Sequence, residues 1–373
     1  MKKSIVKKSI GLFMAGVMTA SMAGCGSSGS GTATQAPAAE TKAETAAAGT
    51  EADAGEETKE AEKAASSDEK FEFSLSMTYD VKSPMAVAAQ KFCDDVKEAS
   101  EGRLVINLFT NSALGSEADS YIAVAGDELE MTCAGVQGLD AYAPRYSFLS
   151  APFLFKSTDH IKAVVDSEIG DGMREDFLED NLRMLAIGYR TPRVMSSDKP
   201  VHTPDDLNGL KMRVSEMSSW VSIWGPDTLG ATAITMPLGE LYGALQNGTA
   251  EASEGPYEQL ATNKFYEVQD YVINTNHVYE WVAIFISDKT WQKLPADLKE
   301  IMDTYAQTDF AEYCTTLNQE TADSYLKELV DNGMEVIEPD NDAFQKKALD
   351  SYDKWFSEEW TVTDFDEVMS YAE

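Results

Sequence analysis

The chain has 373 residues, with 64 acidic against 30 basic side chains and a net charge of -34. A nucleic-acid partner is excluded, because a phosphate backbone asks for a positive surface. The same charge excludes a polybasic membrane-binding face and describes a soluble, self-repelling body.

The chain opens on Lys2, Lys3, Lys7 and Lys8, followed by an apolar, uncharged run from Ile10 to Met22. That run is too short to cross a bilayer of ~30 Å as a helix and fits the hydrophobic core of a signal peptide. It closes on Met22-Ala23-Gly24-Cys25, which resembles a bacterial lipobox. The resemblance implies a signal over residues 1–24 and a lipidated Cys25 as the first mature residue. Residues 25–70 are mostly Gly, Ser, Thr, Ala, Glu and Lys, with no aromatic residue before Phe71. Such a segment cannot bury enough apolar surface to offset its ordering entropy, and it reads as a flexible tether. Gly26-Ser-Ser-Gly29-Ser-Gly31 is part of this low-complexity stretch; no strand precedes it and no Lys-Ser/Thr pair follows, so it is not a phosphate loop.

From Phe71 onward the pattern alternates. Phe71 to Met77 has period two and predicts a strand. Ser83 to Ser100 predicts an amphipathic helix, with Ser83 as cap and Pro84 in the first turn. Arg103 to Phe109 predicts a strand, Glu117 to Ala125 a helix, and Leu129 to Ala134 another strand. The alternation runs on to about Val272 and predicts α/β lobes with mainly parallel sheets. After Leu294-Pro295, Ala296 to Asp331 predicts a long helical stretch, interrupted at most once and ending at Asn332-Gly333. Val336 to Pro339 predicts a short strand, and Asp342 to Ala372 a further helical region carrying Trp355, Phe356 and Trp360. Cys93, Cys133 and Cys314 form no Cys-x-x-Cys pair and are odd in number, so they predict buried thiols rather than a disulfide framework. His160, His202 and His277 lie too far apart in sequence for a local zinc motif.

The most specific stretch runs from Thr203 to Pro256. Thr203-Pro204-Asp205-Asp206 predicts a capped helical turn, and Lys211-Met212-Arg213-Val214 predicts a strand. Then come Met236-Pro237-Leu238, Glu240-Leu241-Tyr242, Ala244-Leu245-Gln246-Asn247-Gly248, Ala252-Ser253-Glu254-Gly255-Pro256, Lys264-Phe265-Tyr266-Glu267-Val268 and Thr275-Asn276-His277. Together with Leu114-Gly115, Glu117, Ala151-Pro152-Phe153-Leu154-Phe155 and Trp291-Gln-Lys-Leu-Pro295, this series resembles the extracytoplasmic solute-binding proteins of TRAP transporters, in the branch that binds dicarboxylates and sugar acids.

The resemblance implies an α/β, two-lobed periplasmic-binding-protein-like fold with a long helix spanning both lobes. Lobe one would comprise 71–190 and 279–318, lobe two 191–278 and 319–373. The implied function is capture of a C4-dicarboxylate, uronate or related sugar acid and its delivery to TRAP-type permease subunits, outside the cell membrane and without a cofactor. Arg213 occupies the position where the family grips the ligand carboxylate, a task suited to the bidentate guanidinium fork. Arg193 has the spacing of a second arginine, with Arg190 as its competitor. Glu117 is either a hydroxyl partner or a helix-start acid. Tyr79 and Asp80 follow the first strand, where a loop faces the cleft. Trp220 either stacks on ligand or belongs to the core, and Asn276 and His277 sit on an inter-lobe crossing. Gly255 replaces the Asn common in the family's Glu-x-Pro motif, so a side-chain donor is missing there.

Two other classes compete. A surface lipoprotein hydrolase acting on sugars would need a carboxylate pair, yet no recognisable catalytic setting, Gly-x-Ser-x-Gly elbow or His-Glu-x-x-His helix is present. A substrate-binding lipoprotein of an ABC importer would lack the block around Arg213.

Overall fold

The computed structural model describes residues 69–372. The predicted signal, Cys25 and all but the last two residues of the predicted tether lie outside the described residues. In chain order the strands are β1 (Phe71–Ser76), β2 (Leu104–Phe109), β3 (Met131–Ala134), β4 (Leu182–Tyr189), β5 (Arg193–Ser197), β6 (Lys211–Val214), β7 (Thr232–Thr235), β8 (Ala252–Gly255), β9 (Tyr271–Val278), β10 (Trp281–Ser287) and β11 (Glu335–Ile337). They form two sheets, ordered β2-β1-β3-β10-β4 and β11-β9-β5-β8-β6-β7.

Both sheets are mainly parallel, as expected, with one reversed strand in each. β10 runs antiparallel to β3 and β4, and β5 runs antiparallel to β8 and β9. The cause lies in the two crossings between sheets, Arg190-Thr191-Pro192 and Tyr279-Glu280. β4 and β9 end at the cleft, so β5 and β10, which continue them directly, must start at the cleft and run away from it. Where a helix links β1 to β2, or β6 to β7, the strands return parallel. The two crossings are tied together, Arg190 N–H donating to the Glu280 carbonyl at 3.0 Å.

Local chemistry sets the elements. In β1, Phe73 and Leu75 are buried while Glu72 is exposed, as a half-buried strand requires. Helix Pro84–Ala99 starts where Ser83 Oγ accepts from Ala86 N–H at 3.2 Å and Pro84 fills the first turn. Its Met85, Ala89, Phe92, Cys93 and Val96 form a stripe packed into the core of the first sheet.

Residues 296–331 form one continuous helical run, with a π-helical stretch at Ala306–Glu312 as its single irregularity. Leu298, Met302, Ala306, Phe310 and Cys314 bury in the core of the first sheet, whereas Leu329 joins Leu241, Leu260 and Phe265 beside the second. The helix passes so close to β4 that a Cβ on Gly188 would sit 3.0 Å from Cys314 Sγ. The predicted helical region from Asp342 is built of three short helices, Asn341–Leu349, Tyr352–Glu358 and Phe365–Ser370. The chain breaks after Glu358 to bury Trp360 between Trp355, Tyr352 and Phe356, its indole N–H on Ser147 Oγ at 2.9 Å. The β-branched run Thr361-Val362-Thr363 then discourages helix.

Cys93, Cys133 and Cys314 are buried free thiols. Burial pushes Cys93 and Cys314 up to about 12, which keeps them protonated and inert.

Candidate functional site

The loops at the carboxyl ends of β1, β2, β3 and β4 face the ends of β5, β6, β8 and β9, because every strand of both sheets meets the cleft at one edge. Ligands in open α/β sheets bind at such edges. A cleft of about 570 Å³, its solvent mouth included, lies there. The first sheet lends Tyr79, Ser112, Ser116, Glu117 and Gln137, the crossings lend Arg190 and Glu280, and the second sheet lends Arg193, Arg213, Ser215 and Gln259.

Arg213 stands on β6 and is 2% exposed. Its Nε and Nη2 donate to the Met236 carbonyl at 3.1 and 2.8 Å. That anchors the side edge of the guanidinium and leaves its end pair, Nη1 and the outer hydrogen of Nη2, toward the cleft. The Met236-Pro237-Leu238 segment is thus the brace for Arg213. Glu254 Oε1 stands 3.7 Å from Nη1, too far for a hydrogen bond.

Behind Arg213 is a buried charge network. Arg193 donates through Nε to Glu254, through Nη1 to both Glu280 oxygens at 2.8 Å, and through Nη2 to the Glu254 carbonyl at 3.1 Å. Arg190 bonds Glu280 through Nη1 and Glu258 through Nη2. Tyr79 lies under the Arg190 guanidinium at 4.9 Å, and Trp220 under Arg193 at 5.1 Å. Burial pushes the Glu254 carboxyl up, but Arg193 and His277 together outweigh it and hold the group down to about 2. His277 is buried beside it with Nδ1 on Thr275 Oγ1 at 2.7 Å, and burial lowers its pKa, so it is neutral.

Glu117 faces this network from the first sheet and accepts Gly135 N–H at 3.1 Å. Burial pushes its carboxyl up to about 7, with the Glu280 carboxylate adding to the rise. A carboxyl raised above its ordinary 4.5 contributes stability in full below about pH 4.5, and that contribution is lost as pH rises through about 7. Glu117→Gln removes the charged form. Its stability advantage over the wild type should therefore grow by on the order of 1–3 kcal/mol from pH 5 to pH 8. Thermal melts across that range test it, and parallel curves for the two proteins would refute it.

The structure brings Arg213, Arg193, Glu117 and Tyr79 together at the cleft, and puts both Arg190 and Arg193 there as well. Trp220 is fully buried, its indole N–H on the Ser150 carbonyl at 2.8 Å, and touches the cleft only through Arg193. Asn276 is exposed, with φ at 44°, and lies outside the cleft lining. Asp80 caps Lys82 N–H and is also outside it. Gly255 does not line the cleft, but a Cβ on it would meet Gln259 Nε2 at 2.3 Å. Sequence reasoning missed Glu258, Gln259 and Glu280. Glu258 and Gln259 follow directly on Glu254-Gly255-Pro256, and a charged residue on a crossing, as Glu280 is, was the available signal for the third.

The profile of the bacterial extracellular solute-binding proteins, family 7, matches residues 75–359. A solute-binding protein of Roseobacter denitrificans is 33% identical over 266 residues, spanning 71% of this chain and 81% of its own length. The 2,3-diketo-L-gulonate-binding periplasmic protein YiaO of Escherichia coli is 31% identical over 254 residues, spanning 67% and 76%. Among solved structures, a TRAP periplasmic solute-binding protein from Roseobacter denitrificans with bound L-galactonate superposes with TM-score 0.75 at 30% identity, covering 82% of this chain and 99% of that one. A second, from a Polaromonas species bound to D-erythronate, gives 0.73 at 25% identity over 81% and 98%. Proteins of this kind bind an extracytoplasmic substrate and do not convert it, which removes the hydrolase reading, and their TRAP assignment removes the ABC-importer reading. The chain belongs to family 7 of the bacterial extracellular solute-binding proteins.

Proposed function

We propose that this protein captures a small organic acid, of the sugar-acid, uronate or C4-dicarboxylate kind, in the cleft between lobe one (71–190 and 279–318) and lobe two (191–278 and 319–373), and hands it to a TRAP-type permease. The observation that carries this reading is Arg213. A buried guanidinium braced by a backbone carbonyl on one edge, with its end pair free, is a ready carboxylate clamp. The relatives support the ligand class, since those named bind diketogulonate, galactonate and erythronate. A thermal-shift screen over sugar acids, uronates and C4-dicarboxylates tests the reading. A cognate acid at a hundredfold excess over its Kd should stabilise the protein by about 2.7 kcal/mol. No shift with any acid overturns it.

Residues 1–24 act as the signal and Cys25 as the lipid attachment site, holding the body outside the cell membrane on the 25–70 tether. Cys25→Ser should release the protein to the medium or block its processing, as read by fractionation and metabolic lipid labelling. A Cys25→Ser protein that is cleaved normally and stays on the membrane would end this assignment.

A further inference from the structure

The cleft holds three guanidiniums, and the charges behind them decide what a ligand may carry. Glu254, Glu258 and Glu280 are each no more than 3% exposed. Arg190 and Arg193 are spent on these three carboxylates. Arg190 Nε is sealed from solvent and unpartnered. Of the three, Arg213 alone hydrogen-bonds no carboxylate. Among the described residues no other cation lines the cleft, and Glu117 adds a carboxyl rather than a positive charge. Arg213 can therefore pair with one ligand carboxylate, while the charges of Glu254, Glu258 and Glu280 outnumber those of Arg190 and Arg193. A second ligand carboxylate would be desolvated with no partner, among carboxylates that repel it.

A second observation concerns what the cleft offers instead. Gln259, on helix Tyr257–Thr262, is 5% exposed and lines the cleft. Its Nε2 makes one long contact, 3.4 Å to the Glu254 carbonyl, and its Oε1 accepts no hydrogen bond from a described residue. The amide lies over Gly255 in the space a side chain there would fill, with Nε2 2.3 Å and Cδ 2.9 Å from the position of a Cβ. Gly255 is thus the seat that lets Gln259 reach the cleft. A primary amide that both donates and accepts suits the hydroxyls of a polyol.

We propose that the ligand is a polyhydroxylated monocarboxylate, with its one carboxylate on Arg213 and its hydroxyls read by the Gln259 amide, and that acids bearing a second carboxylate are rejected. This rests on the function proposed above and narrows its ligand class.

Titration calorimetry on the full chain tests it with matched pairs that differ only at C6: D-galactonate against galactarate, and D-gluconate against D-glucarate, with succinate added. At least one hexonate should bind, and its hexarate should bind about 100-fold more weakly or worse. For that hexonate, Gln259→Leu should weaken binding about tenfold. Gly255→Ala should do the same by evicting the amide, and the double variant should lose no more than either alone, which a merely local packing defect would not reproduce. A hexarate or succinate binding within tenfold of the best hexonate, or more tightly, overturns the inference while leaving the solute-binding function standing. Unchanged affinity in a folded Gln259→Leu overturns the role given to Gln259. Binding of none of these acids overturns this inference, while the proposed function falls only where the wider thermal-shift screen is silent as well.

Discussion

Arg213→Ala should raise the Kd of the cognate acid by roughly 30- to 5,000-fold, the range expected when a buried ligand carboxylate loses its charged partner, at ~2–5 kcal/mol. Arg213→Lys should fall short of that, at roughly 10- to 150-fold. Lysine keeps the charge but not the planar fork, and a charge-assisted hydrogen bond contributes ~1.5–3 kcal/mol. From the sequence, neither substitution would be expected to touch the ligand-free protein. The structure changes that expectation, because the same guanidinium holds the Met236 carbonyl with two hydrogen bonds and stands beside the buried Glu254. Both variants should therefore melt lower than the wild type even without ligand. Calorimetric titration at a temperature where circular dichroism reports full folding separates the two effects. An Arg213→Ala protein that binds within threefold of the wild type would show that Arg213 is not the clamp.

Glu254 should carry the largest stability effect. It is fully buried and holds Arg193 through both a side-chain and a backbone oxygen. Removing one member of a buried charge network leaves the rest uncompensated, at ~3–5 kcal/mol. For a body of about 300 residues that corresponds to roughly 5–8 °C in Tm for Glu254→Ala. Glu254→Gln keeps the shape and loses the charge, and it should also be destabilised at neutral pH. The pH dependence has a definite sign. A carboxyl held down to about 2 against an ordinary 4.5 stabilises the fold at pH values above about 4.5, and that stabilisation is lost as pH falls toward about 2. The wild type should thus lose stability over this acid limb, and Glu254→Gln should lose less of it. Equal melting temperatures of wild type and Glu254→Gln at pH 7 would contradict the network as described. The slope has the opposite sense to that of Glu117, whose raised carboxyl weakens the fold as pH climbs toward neutrality, so the two groups are separable in one pH series.

Local signals decided the elements that could be read without the fold. Ser83 before Pro84, the alternation of Phe71 to Ser76 and the run Lys211 to Val214 each carry their own cap, period or boundary, and each element appears where those signals place it. The helix from Ala296 to Asp331 was legible for the same reason, except that its π-helical stretch has no mark in the sequence. The C-terminal region is helical, as its sequence suggests, but the sequence does not place its breaks; one of them lets Trp360 bury between Trp355 and Phe356. Strand direction was also out of reach. Whether β5 and β10 run with or against their neighbours depends on which edge of the sheet the chain enters from, and only the crossings set that.

At the site, the sequence by itself determined the chemistry that could be present. The motif block singled out Arg213, spacing upstream of it pointed to Arg193 or its competitor Arg190, and Glu117 and Tyr79 were read from their places after a Leu-Gly pair and after the first strand. Only the tertiary structure decided which of their hydrogen bonds remain free. Arg190 and Arg193 look as available as Arg213 in one dimension, yet Glu254, Glu258 and Glu280 consume them. Asn276 looks as well placed as Glu280, but its backbone turns it outward, while Glu280 points to the arginines. Gly255 reads as a missing donor, and the fold fills its place with Gln259 from four residues on. The physical reason is common to all three. A charge or an amide acts through what lies within about 3 Å of it, and the path of the backbone rather than the order of residues sets those neighbours.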